Sequence, residues 1–108
     1  MASFGDYIKK EREKSDMTQD KLSKILDIPY TDVSKIEHGK KKFKFEKLSD
    51  LAKVLKVNLQ HLKDLYGADI MVEHKEKYEC SDKVFSVAES QSRYMENKNA
   101  TQGNLKFQ

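Results

Sequence analysis

Tryptophan is missing from this 108-residue sequence, and cysteine and proline occur once each. A lone Cys80 cannot close an internal disulfide, which excludes a small disulfide-stapled secreted domain. Four glycines and one proline are too few for collagen, a proline-rich linker or a turn-dense β-sandwich. No apolar run approaches the roughly 20 residues needed to cross a bilayer. The opening Met-Ala-Ser-Phe-Gly-Asp lacks the basic and apolar regions of a secretion signal. These absences lead us to expect a reduced, cytoplasmic protein without membrane association. A chain this short holds one compact domain plus at most an appendage, not a large multidomain enzyme.

What is present favours helix. Charged residues make up 36% of the chain and hydrophobic residues 37%, enough apolar material for a small core with little to spare. The net charge of +3 is modest, but its distribution is uneven. Six lysines (Lys35, Lys40, Lys41, Lys42, Lys44, Lys47) face only Glu37 and Glu46 between positions 35 and 47, whereas six basic residues face seven acids from Gly67 onward. The basic character therefore belongs to one loop and its flanks, where it would serve a polyanionic partner.

Apolar spacing outlines the elements. Phe4, Tyr7 and Ile8 recur at helical spacing, with Glu11, in a first helix over about Ser3–Lys14 that Ser3 can cap. Thr18 caps a second, expected to point Leu22, Ile25 and Leu26 inward and to end at Asp27. Pro29 closes a short link, and a third helix begins at Tyr30 or Thr31, with Val33 and Ile36 buried and Gly39 at its stop. A fourth, over about Lys44–Lys56, carries Leu48, Leu51, Ala52 and Leu55 at i, i+3, i+4 and i+7. Asn58 caps a fifth, in which Leu59, Leu62, Leu65 and Tyr66 continue the apolar face to an expected boundary at Gly67.

Beyond Gly67 we expect a short helix around Ile70, Met71 and His74, a break over Tyr78–Ser81, and a last helix opened by Asp82. Val84, Val87, Ala88, Gln91 and Met95 approximate one face of that helix through about Asn97, with Phe85 and Tyr94 beside it. The polar end, residues 99–108, is expected to be disordered. The fold class is thus all-α. Residues 4–66 are expected to form the compact domain, 67–98 a helical extension suited to dimerisation, and 99–108 a tail.

Function concentrates between Thr18 and Glu37. Two short helices joined by a turn too tight for antiparallel packing must cross steeply, which exposes the second. An exposed helix flanked by lysines fits the DNA major groove. Gln19, at the start of the first helix of the pair, would lie at the phosphate backbone. Asp32 is an acid near the start of the groove helix. It is expected to cap that helix, the alternative being to accept from a cytosine amino group. Phe43 and Phe45 interleave with the lysines and are expected in the core rather than on bases.

The pattern Thr18-Gln19, Leu22, Leu26, Ile28, Val33-Ser34, Ile36-Glu37, Gly39-Lys40, Leu48, Leu51-Ala52, Leu55, Val57 and Leu62 resembles the Xre/Cro/cI-type helix-turn-helix regulators, relatives of the phage repressors. The resemblance covers roughly residues 5–66. It implies a five-helix repressor-like domain with a C-terminal helical extension, binding double-stranded operator DNA as a two-fold homodimer. Carried over by position, Gln19, Tyr30, Thr31, Ser34 and Lys35 stand where the family places base-edge and nearby backbone contacts. Lys40, Lys42 and Lys44 stand where it places phosphate contacts, and Glu37 is structural. Ser23 and Asp27 depart from the usual Ala and Gly; serine is small enough for a close crossing, and aspartate tolerates a left-handed turn.

His38, His61, His74 and Cys80 match no compact zinc spacing, so no metal is expected. The sequence also lacks a phosphate-binding glycine loop, a nucleophile elbow and a convincing pair of catalytic carboxylates, so neither cofactor nor enzyme activity is expected. Similarity to restriction-modification controller proteins makes control of such genes the first expectation. The alternative is an antitoxin-like interaction module whose residues 68–108 bind a protein partner while the domain represses its own operon.

Overall fold

The computed structural model describes residues 3–102. It contains six α-helices and, among the described residues, no strand: α1 Phe4–Lys14, α2 Gln19–Leu26, α3 Tyr30–Glu37, α4 Leu48–Leu55, α5 Leu59–Lys77 and α6 Val84–Gln102. None is long and apolar enough to cross a membrane. The chain divides into two compact units between Met71 and Val72.

The helix starts follow local chemistry. Ser3 Oγ accepts from the Asp6 amide while Asp6 answers to the Ser3 amide, a reciprocal capping box. Thr18 Oγ1 accepts from the Lys21 amide, and Asn58 Oδ1 from the His61 amide at 2.8 Å. The helix stops share one device. After α1, α2, α3, α4 and α5 a residue turns left-handed: Asp16, Asp27, Gly39, Lys56 and Glu79. At each, two amides reach back to the last carbonyls, as Ile28 N to Ser23 O and Lys40 N to Lys35 O. Only one of the five is glycine, so composition alone does not mark these stops.

Thirteen buried apolar side chains form the core of the first unit, with Leu22, Leu48, Leu51 and Leu62 the largest fully enclosed. Each of these four leucines contributes about 1.5 to 3 kcal/mol by leaving water. α3 packs on α1 and α2, and α2 on α4. Gly5 is required where α1 meets the end of α3: a Cβ there would lie 2.5 Å from the Ile36 carbonyl oxygen and 2.7 Å from that of Glu37. Asp69 accepts from the Phe4 amide, and the Tyr66 hydroxyl donates to the Phe43 carbonyl at 2.6 Å, which fixes the end of the basic loop.

Several expectations are corrected. Ile25 lies 48% exposed rather than inward, because Leu22, Ser23 and Leu26 already fill the buried face of a two-turn helix. Phe43 is buried as expected, but Phe45 is 54% exposed, its ring near Tyr66 with the Lys63 ammonium over it. The fourth helix starts later than Lys44, after a separate 3-10 turn at Phe45–Lys47. The fifth does not end at Gly67 but runs on to Lys77 and absorbs the short helix expected around Ile70. A glycine inside a helix costs only about 1 kcal/mol, which neighbouring turns readily offset.

In the second unit the break at Tyr78–Ser81 is present, but Ser81, not Asp82, accepts from the Lys83 amide before α6. α6 extends past Asn97 to Gln102, so residues 99–102 are helical. The rest of the tail expected to be disordered, residues 103–108, lies outside the described residues. None of the described side chains of α6 is buried.

Candidate nucleic-acid interface

α3 is held by one face and offers the other. Val33, Ile36 and Glu37 are buried, while Tyr30, Thr31 and Lys35 are exposed and Ser34 is half-buried. Positions 30, 31, 34 and 35 follow the helical repeat on the side opposite the core. The stop at Gly39 then leads into Lys40, Lys41 and Lys42, all exposed, before buried Phe43 anchors the loop and exposed Lys44 follows. Four predicted residues thus share the outer face of α3, and three predicted lysines lie on the segment that follows it.

Gln19 is placed differently from the rest. It is half-buried at the start of α2, and its Nε2 donates to Glu37 Oε1 at 3.0 Å. Glu37 is fully enclosed, and its charge is answered by Arg12: Nε donates to Oε2 at 2.7 Å and Nη2 to Oε1 at 3.1 Å. The remaining Arg12 nitrogen, Nη1, donates to the Met17 carbonyl at 2.7 Å. One ion pair therefore ties α1, the α1–α2 turn, the start of α2 and the end of α3 together. The hydrogen bond from Arg12 to Glu37 raises the guanidinium pKa above its ordinary value against the opposing effect of burial.

Arg12 was not among the sequence candidates. Its signal was available: Phe4, Ile8 and Arg12 are four residues apart on one stripe, so an arginine continues an apolar face. A cation there requires a buried carboxylate.

Asp32 does not cap α3. Pro29 occupies the cap position, with no side-chain cap hydrogen bond there. Asp32 Oδ2 instead lies 2.7 Å from Lys41 Nζ, across the stop of α3. Lys47 turns away from the outer surface and donates to the Leu26 carbonyl at 2.7 Å, where a cation complements the end of α2.

Two short helices fixed by a shared core and a buried ion pair, with a polar helix face beside a lysine-rich loop, define a DNA-binding helix-turn-helix domain. The family described as Helix-turn-helix matches residues 8–62, just over half the chain, and the chain belongs to that family. It is a family of DNA-binding transcriptional regulators, not of enzymes. No curated protein matches the chain.

Proposed function

We propose that this regulator recognises a two-fold operator in the cytoplasm as a homodimer, with α3 in the major groove of each half-site. Residues 4–66 are the DNA-binding part and 67–98 the dimerising part. Tyr30, Thr31, Ser34 and Lys35 meet base edges, Gln19 meets the adjacent backbone, and Lys40, Lys42 and Lys44 meet phosphates. The outward polar face of α3 beside the lysine loop carries this reading. Resemblance to controller proteins supports restriction-modification genes as the target.

Fluorescence anisotropy tests the reading with a duplex from just upstream of the protein's own gene and a scrambled duplex, at low and physiological salt. Tight, salt-sensitive binding that prefers the native duplex is expected; equal weak binding to both counts against self-regulation. Lys35→Ala should alter which base pair is preferred by about 1 to 3 kcal/mol. Lys40→Ala should weaken all sequences alike and lower the salt slope by about 1. A uniform loss from Lys35→Ala would remove that residue from the base-reading set.

Val87, Tyr94 and Met95, exposed on α6, favour an association partner for the second unit. A second copy is the occupant proposed here. A stoichiometric foreign protein retained through residues 68–108 would support the antitoxin-like alternative.

A further inference from the structure

The pairing of Asp32 with Lys41 joins an acid on the proposed groove helix to one cation of the lysine run. Their charged atoms lie 2.7 Å apart, with the Asp32 side chain 17% exposed and that of Lys41 50%. Asp32 stands in the first turn of α3 and makes no side-chain cap hydrogen bond there. An unpaired carboxylate here would repel DNA phosphates, and a lysine tied to it is not on a phosphate. The Lys41 end of the pair is half exposed, so the ammonium exchanges partners at little cost.

We propose that Asp32 and Lys41 form an electrostatic specificity lock, an inference that rests on α3 being the groove helix. On DNA that offers Asp32 no donor, the carboxylate keeps Lys41 off the backbone. Where the groove presents a cytosine amino group, Asp32 accepts from it and Lys41 passes to a phosphate. Cytosine is the chemical match because an ionised carboxylate only accepts, and the cytosine edge offers a donor. Adenine sets an acceptor beside its donor, and guanine and thymine offer acceptors that repel the carboxylate. The lock lowers affinity for the wrong sequence and adds one phosphate contact on the right one.

The full-length protein is titrated with an unrelated duplex across a salt series, as wild type, Asp32→Asn, Lys41→Ala, the double variant and Asp64→Asn, a charge control outside the helix-turn-helix. Circular dichroism checks that each folds. Asp32→Asn should bind more tightly and steepen the log affinity against log salt slope by about 0.9, which is an extra loss of roughly 3.5-fold between about 50 and 200 mM salt. Lys41→Ala alone should leave the slope unchanged, yet in the Asp32→Asn background it should remove the added 0.9. An equal effect from Asp64→Asn, or a full-contact loss from Lys41→Ala alone, overturns the lock.

Selection from randomised duplexes supplies the second readout. Wild type should enrich a C·G pair at one position that Asp32→Asn no longer prefers. A preference that Lys35→Ala alters and Asp32→Asn leaves intact refutes the lock but keeps α3 in the groove. Absence of any preference in wild type removes the groove reading, and the lock falls with it.

Discussion

The first five helices and the last helix have similar raw material and opposite uses for it. Between Phe4 and Leu65 thirteen apolar side chains converge on one core, and Leu22, Leu48, Leu51 and Leu62 are withdrawn from water. Along α6, Phe85 is half-buried, and Val87, Tyr94 and Met95 stand in solvent. α6 is held by local contacts, such as the Ser81 hydroxyl at its start and the Glu89–Arg93 pair at 3.0 Å. Helical periodicity therefore indicates a face, not its occupant. Most helical stability in proteins comes from burying an amphipathic face, and the apolar residues that α6 leaves in solvent have not been used that way within the second unit.

Breaking the charged centre of the first unit gives the largest expected effect. Arg12→Ala leaves Glu37 buried without its cation and should cost about 4 kcal/mol in urea unfolding, since removal of one partner strands the other charge. Substitution at a wholly apolar site comes next. Leu62, 0% exposed, should cost about 3 kcal/mol as Leu62→Ala, with the loss growing with the cavity left behind. If either variant unfolded like wild type, the core would not be the source of the first unit's stability.

Lys56→Gly should act in the opposite direction. Lys56 ends α4 with φ 57°, a conformation that strains any residue with a Cβ. Glycine relieves the strain at the expense of a more disordered unfolded chain, for a net gain of about 0.5 to 1 kcal/mol in thermal unfolding. Val87→Ser sharpens the contrast at the small end. It should change monomer stability by less than about 0.5 kcal/mol, yet lower self-association in sedimentation equilibrium if α6 pairs two copies as proposed. A large stability loss with unchanged association would place Val87 in a core of its own unit.

Much of the first unit was legible in sequence because its signals span four residues or fewer. Ser3, Thr18 and Asn58 cap helices through amides three positions on, and Leu48, Leu51, Ala52 and Leu55 state their face by period alone. The candidate interface was legible in part. Tyr30, Thr31 and Lys35 lie outward because Val33 and Ile36 lie inward on the same short helix. Gln19 and Asp32 were less legible, since their partners lie 18 and 9 positions away. Ile25 and Phe45 point outward for a related reason: an apolar residue is buried only where neighbouring helices leave room for it.

The sequence by itself determined an all-helical protein with a pair of short helices joined by a tight link, a lysine loop after the second, and several of the caps and apolar faces that form them. These follow from backbone hydrogen bonding and a 3.6-residue repeat, which act within a turn or two of chain. Only the tertiary structure decided that Arg12 meets Glu37, that Glu37 also takes Gln19, that Gly5 must lack a side chain, and that Asp32 holds Lys41 instead of capping α3. Charge pairing and steric exclusion depend on distance in space, and packing of the apolar core is what converts separation along the chain into contact.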